Sequence, residues 1–230
     1  MAAPRFPNPV FVAIDTPDLG RALALAKAVR PHVGGLKVGL EFLTAQGPDG
    51  IRAIAELGLP VFADTKFHDI PNTVAGAARE IAKLGVSIFN IHASGGEAML
   101  RAAREAAPDV KLIAVTVLTS LDEKDIDAVG QKGPAADQVV RLASLAQRAG
   151  LDGVVCSAWE IAPLRKALGP DFLLVVPGIR PAGSDLADQR RVMTPRDAAR
   201  AGADILVIGR PISAAADPAE AARAIAASLE

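Results

Sequence analysis

Apolar runs and Ala-rich amphipathic segments alternate along almost the whole chain. Residues 10–15, 33–40, 61–66, 86–93, 111–118, 153–157, 172–176 and 204–208 read as strands. These runs are close to continuously apolar, the mark of strands covered on both faces, as in a parallel sheet under helices. Between them, residues 19–29, 48–57, 73–84, 96–106, 135–149, 160–168, 195–201 and 218–229 carry helical patterning, and Thr16-Pro17-Asp18 opens the first of these helices. Residues 121–134 are polar and read as either a short helix or a loop, while 181–191 have loop composition. Eight strand–helix units in unbroken succession predict a closed (β/α)8 TIM barrel over an open doubly wound sheet. No linker or low-complexity stretch divides the chain, so residues 1–230 are expected to form one domain. No residue motif recurs at fixed spacing, which argues against a solenoid.

Composition narrows the class. At 230 residues with half of them hydrophobic, one large core is affordable. The 25 basic and 26 acidic residues leave a net charge of −1, so no global field favours nucleic acid or a membrane surface. Seven Phe, one Trp and no Tyr supply few faces for stacking bases. The single Cys156 has no intrachain disulfide partner and fits a reducing cytoplasm. The opening residues lack the apolar core of a signal peptide, and no apolar run approaches the roughly 20 residues of a membrane span. The expectation is a cytoplasmic protein without nucleic-acid or membrane partners.

Candidate chemistry gathers where the strands end. Asp64 and Lys66 stand two apart on the third strand, so both face one side. Charges there are costly to bury unless paired. Asp15 ends the first strand, Lys37 lies in the second, Thr119-Ser120 follow the fifth, and Arg180 and Arg210 follow the seventh and eighth. A barrel keeps its active site at the C-terminal ends of its strands, so all of these would serve one mouth. Any one of them alone has a plainer reading, since Asp is a preferred helix cap and a lone Asp–Lys pair is often structural. Pro177-Gly178-Ile179-Arg180 and Gly209-Arg210 match the loops that bind phosphate in such barrels, by close backbone approach and bidentate Arg contacts. Residues 181–191 then read as a lid offering Gly183, Ser184 and Gln189 to a ligand. His68 and His92, near the mouth, read as hydrogen-bonded scaffold. No His or Cys pair has metal-ligand spacing, although Asp15, Asp64 and Asp69 leave a Mg²⁺ site open.

The stretch Asp64-Thr65-Lys66-Phe67-His68-Asp69-Ile70-Pro71-Asn72-Thr73 resembles the D-x-K-x-x-D-I signature of the orotidine 5′-phosphate decarboxylase family. Ala13-Ile14-Asp15, Leu36-Lys37-Val38-Gly39, Leu118-Thr119-Ser120, Pro177-Gly178-Ile179-Arg180, Gln189 and Val207-Ile208-Gly209-Arg210 follow in family order. The resemblance implies decarboxylation of orotidine monophosphate to uridine monophosphate, the last step of de novo pyrimidine synthesis, with no metal or cofactor. It implies a charge network of Lys37, Asp64, Lys66 and Asp69, with Lys66 delivering the proton and Asp64 beside the departing carboxylate. Asp69 and Thr73 would reach the neighbouring site of a homodimer, and Ile70 would contact the substrate. Asp15 and Lys37 would hold the ribose, and Thr119 and Ser120 would lie at the base. Gln189, Gly209 and Arg210 would hold the phosphate, with Arg180 anchoring the nearby loop, and Pro177 would also contact the substrate. Some relatives place a Tyr on the lid, and this chain has none. The D-x-K-x-x-D core alone is shared with Mg²⁺-dependent sugar-phosphate decarboxylases and synthases of the same barrel superfamily, which keeps that alternative open.

Overall fold

Residues 6–181 and 193–229 are described in a computed structural model of the chain. The strands are β1 (Val10–Ile14), β2 (Gly35–Val38), β3 (Val61–Phe67), β4 (Ile88–His92), β5 (Lys111–Val115), β6 (Gly153–Val155), β7 (Leu173–Pro177) and β8 (Ile205–Ile208). Each pairs in parallel with the next, and β1 closes the barrel on β8 with Val10 opposite Leu206 and Val12 opposite Ile208. The helices around it are α1 (Leu19–Val29), α2 (Leu40–Ala55), α3 (Pro71–Ala82), α4 (Glu97–Ala106), α5 (Glu123–Ala128), α6 (Ala135–Arg148), α7 (Ile161–Leu168), α8 (Pro195–Ala201), α9 (Arg210–Ser213) and α10 (Pro218–Ala227). This is a (β/α)8 TIM barrel. Among the described residues no helix is long and apolar enough to cross a membrane.

The near-continuous apolar strands serve two separate cores. Outward-facing Val10, Val12, Ile14, Leu36, Val38 and Ala63 pack under helix residues such as Ala22, Ala26, Phe42 and Val74. Inward-facing Phe11, Ala13, Phe62, Ile88, Ile113, Leu173, Val175, Ile205 and Val207 fill the barrel itself. Phe11 needs room there that only glycine leaves: a Cβ on Gly35 would lie 2.3 Å from its ring. One pleat further along, the inner face changes character. Lys37 follows Gly35, Asp64 follows Phe62, and Asn90 follows Ile88 on the same side of their strands. An apolar plug therefore forms the floor on which a polar layer stands, at the C-terminal mouth.

Charges at the opposite end of the barrel are structural. Asp152 accepts from Arg104 Nη1 at 2.7 Å and from the Leu112 N–H at 2.8 Å. Asp204 likewise takes the Leu174 N–H at 2.7 Å and pairs with Arg165. Both tie the starts of strands to the helical shell, where such barrels invest in stability.

The structure departs from the sequence expectation in a few places. The second strand, expected over 33–40, ends at Val38, and Leu40 already begins α2. Gly47, at φ 60, kinks α2, so the helix expected from residue 48 is present as its second half and a first half beginning at Leu40 precedes it. Leu40, Phe42 and Leu43 prolong the apolar run of β2, which disguised the first turns; Pro48, lacking an N–H, starts the second helical segment as expected. The fifth strand, expected to reach 118, stops at Val115. Within 121–134 the helix alternative is realised as α5, opened by a capping box between Asp122 and Asp125. The four-residue α9 is too short to carry a periodic signal. Gly183, Ser184 and Gln189 of the expected lid lie outside the described residues. The chain on either side of that segment is pinned together by the Arg180 N–H donating to the Met193 carbonyl at 3.1 Å.

Candidate active site

The polar layer is built on β3, and β3 is irregular where it matters. Its pairing with β4 runs Phe62–Ile88 and Ala63–Phe89, then resumes only at Phe67–Ile91. Asp64, Thr65 and Lys66 thus oppose the single residue Asn90, a bulge of the kind that re-aims side chains next to active sites. Within it Lys66 adopts φ 52, the one positive φ outside glycine among the described residues. A left-handed Lys costs about 1–2 kcal/mol relative to ordinary backbone.

Four charges line up across three strands. Lys66 Nζ donates to Asp64 Oδ1 at 2.6 Å. The other oxygen of Asp64 is 3.9 Å from Lys37 Nζ, which donates to Asp15 Oδ1 at 2.7 Å. The row Asp15–Lys37–Asp64–Lys66 alternates in sign from β1 to β3. The Lys37 side chain is 10% exposed and Asp64 17%, while Lys66 at 30% has the freer end toward the mouth. The inner members each keep a second partner when one is removed, Asp64 between Lys66 and Lys37 and Lys37 between Asp64 and Asp15, so losing an end of the row does not strand a buried charge. Gly39 is part of this arrangement, because a Cβ there would lie 2.9 Å from Lys37 Nζ and 3.2 Å from Asp15 Oδ1.

The remaining candidates ring the mouth or stand off it. Thr119 and Ser120 are exposed in the turn after β5. Pro177 ends β7 and Gly178 follows at φ 76. Arg180 is only 7% exposed, which does not fit a merely solvated arginine, and its Nη1 donates to the Ile179 carbonyl at 3.1 Å. Gly209 leaves β8 beside the row, with a built Cβ 3.9 Å from Asp15 Oδ2, and exposed Arg210 follows it. Asp69 stays apart from the four-charge row: it is exposed and accepts from the Ile70 N–H at 2.6 Å. Ile70 is 67% exposed, and residues 68–73, which follow the C-terminal end of β3 and enter α3, are all exposed. Gln189 lies outside the described residues.

Two residues acquire weight that the sequence did not give them. Asn90, fully buried on β4, donates from Nδ2 to Asp64 Oδ1 at 2.7 Å and accepts the Lys66 N–H on Oδ1 at 2.7 Å. The period-two argument that paired Asp64 with Lys66 would also have pointed Ile88, Asn90 and His92 inward together. His92 stacks on His68 with ring centroids 5.4 Å apart. Burial, the neighbouring His68 and the Lys66 charge hold its pKa below the ordinary histidine value, against a smaller opposing pull from Asp64. The folded state therefore favours neutral His92, and its contribution to stability is present above about pH 6.5 and lost as pH falls through the depressed folded value. Replacing His92→Gln should flatten that part of the profile: the Tm gap between wild type and variant should shrink from pH 7.5 to 5.5, and a constant gap would remove His92 as its source. Cys156, by contrast, offers no nucleophile, since burial pushes its thiol well above its usual range.

A closed eight-stranded barrel presenting an alternating charge row at its C-terminal mouth is the arrangement of a TIM-barrel enzyme. A family model described as "Orotidine 5'-phosphate decarboxylase / HUMPS family" matches residues 8–225, and the chain belongs to that family. The orotidine 5′-phosphate decarboxylase of Paramagnetospirillum magneticum is 56% identical to it, with 96% of this chain and 98% of the relative covered. That of Moorella thermoacetica is also 56% identical, covering 96% and 92% respectively. Among solved structures, the orotidine 5′-phosphate decarboxylase of Lactobacillus acidophilus superposes with a TM-score of 0.86 at 37% identity, over 97% of this chain and 99% of that one.

Proposed function

We propose that this chain decarboxylates orotidine 5′-monophosphate to uridine 5′-monophosphate and CO₂ in pyrimidine biosynthesis, with Lys66 as the proton donor. The observation that carries the reading is the Asp15–Lys37–Asp64–Lys66 row inside a chain that matches this family from residue 8 to 225. Loss of CO₂ leaves its bonding electron pair on a ring carbon with no adjacent electron sink, so the charge has to be met electrostatically. A positioned ammonium in a water-poor site does so without reorganising at the moment of reaction. Lys66 Nζ then gives its proton to that carbon. Asp64 orients Lys66 through its 2.6 Å contact and stands beside the departing carboxylate. Lys37 and Asp15 take the ribose hydroxyls, while Pro177, Thr119 and Ser120 border the base. Gly209, Arg210 and Gln189 take the phosphate, and Arg180 anchors the chain next to them. Phosphate binding far from the reacting carbon assists if its energy is realised in the transition state.

The same reading makes the enzyme a homodimer in which Asp69 and Thr73 enter the neighbour's site. Its support here is the exposed run 68–73, with a bare Ile70 beside the mouth and Asp69 outside its own chain's charge row. It also places the enzyme in the cytoplasm, which suits a lone reduced Cys156. No observation favours the Mg²⁺-dependent sugar-phosphate alternative, and the carboxylates of Asp15 and Asp64 are both engaged by lysines. The deciding measurement is a spectrophotometric assay with orotidine monophosphate in excess EDTA. Steady loss of substrate absorbance is expected; its absence, with turnover of a sugar phosphate on adding Mg²⁺, would transfer the chain to the alternative.

A further inference from the structure

The mechanism above uses β3 but leaves unexplained what holds three consecutive residues of β3 in a bulge that the ladder does not pair. Opposite Asp64, Thr65 and Lys66 there is only Asn90, and it bonds all three. Its Nδ2 donates to Asp64 Oδ1 at 2.7 Å. Its backbone carbonyl accepts from Thr65 Oγ1 at 2.6 Å. Its Oδ1 accepts the Lys66 N–H at 2.7 Å. Its Oδ1 takes the Lys66 N–H that the regular ladder would have paired, where a non-glycine backbone enters the left-handed region. Asn90 is 0% exposed, so these bonds do not compete with water, and the loss of any partner leaves a buried polar group unsatisfied.

We infer that Asn90 is a positioning residue for the decarboxylation, setting both the carboxylate of Asp64 and the backbone of Lys66 so that the ammonium meets the reacting carbon. The inference rests on the decarboxylase reading for its kinetic consequence, though not for its geometry. The residue has the two functions this task requires. The side-chain amide at this place donates to a carboxylate through Nδ2 and accepts a backbone N–H on Oδ1 at once. A leucine would fill the space and serve neither; an aspartate would keep the acceptor but set a second carboxylate against Asp64.

The test compares three variants with wild type. Asn90→Ala removes both side-chain bonds. Asn90→Asp keeps the volume and the acceptor for the Lys66 N–H while losing the donor to Asp64. Thr65→Val removes only the hydroxyl bond to the Asn90 carbonyl, a comparable loss of buried hydrogen bonding that leaves Asp64 and Lys66 held. For Asn90→Ala, kcat on orotidine monophosphate should fall by about 10²-fold, the order expected of a misplacement near 1 Å. Uridine monophosphate affinity should change by no more than about threefold, since its phosphate and ribose contacts lie elsewhere. Thr65→Val should keep kcat within about threefold, whatever its Tm.

Asn90→Asp should be as impaired as Asn90→Ala at pH 8 and recover relative to wild type as pH falls. The introduced carboxyl and Asp64, faced by Lys66, Lys37 and His92, then share a proton, which restores a donor between them. If Asn90→Ala does not fold, this isosteric variant carries the test by its pH profile. Full kcat in the folded Asn90 variants would overturn the inference. So would losses that merely track Tm equally in Thr65→Val. Should wild type itself fail to turn over orotidine monophosphate, the decarboxylase reading falls, and the geometric claim is judged by the crystal structure of Asn90→Asp. An unchanged Lys66 φ and Lys66–Asp64 contact there would overturn it, and a displaced pair would uphold it.

Discussion

Replacing Lys66→Ala is expected to lower kcat/KM for orotidine monophosphate by about 10⁴-fold, because in the proposed mechanism one side chain supplies both the proton and the charge that meets the carbanion. The fold should survive. Asp64, the partner left behind, still accepts from Asn90 Nδ2 at 2.7 Å and still has Lys37 Nζ at 3.9 Å. It is therefore not the orphaned charge that unfolds proteins. A second substitution separates chemistry from stability. Lys66 sits at φ 52, where glycine is unstrained and alanine is not. Lys66→Gly should be more stable than Lys66→Ala by about 1 kcal/mol, read from urea midpoints, while being equally inactive. A variant of either kind with a near-normal rate would take the proton-donor role away from Lys66. The opposed effects of one position on stability and rate would show the left-handed lysine as strain kept for function.

The architecture was legible in the sequence because it depends on a coarse property. Eight runs buried on two faces have to be nearly all apolar, and that survives errors of several residues at their ends. The same property hid the start of α2: Leu40, Phe42 and Leu43 are apolar for the helix shell, yet extend the run of β2 without a break. The site was legible only as residue types at strand ends. Period-two geometry brought Asp64 and Lys66 to one face, but it assumes a regular strand, and β3 is not regular there. The bulge over 64–66 is stabilised by a residue 26 positions from Asp64, and neither Lys66 nor its neighbours carry the glycine that announces a left-handed turn. Asn90 looked like an unremarkable polar residue in an apolar strand. Its importance comes from facing three residues at once, which is a property of register and not of composition.

The exposed run 68–73 motivates the last prediction. Charge and apolar surface stand together there: Asp69 bonds only its neighbouring N–H among the contacts described, and Ile70 is 67% exposed. If this loop completes a partner's site, Asp69→Ala should be nearly inactive even though the Asp15–Lys37–Asp64–Lys66 row in its own chain is untouched. Lys66→Ala is inactive for a different reason, so mixing the two tests the geometry. In a heterodimer, one site combines Lys66→Ala with the other chain's Asp69→Ala and is doubly lost. The second site receives an intact Lys66 from one chain and an intact Asp69 from the other. Random exchange of equal amounts should restore activity at about a quarter of all sites, since half the dimers are mixed and each has one sound site. Dilution to the monomer followed by reconcentration allows the exchange, and differently tagged chains verify it. Recovery to that level establishes a shared site. Verified heterodimers without activity would place Asp69 in the service of its own chain, as a support for the loop that leads from Lys66 into α3.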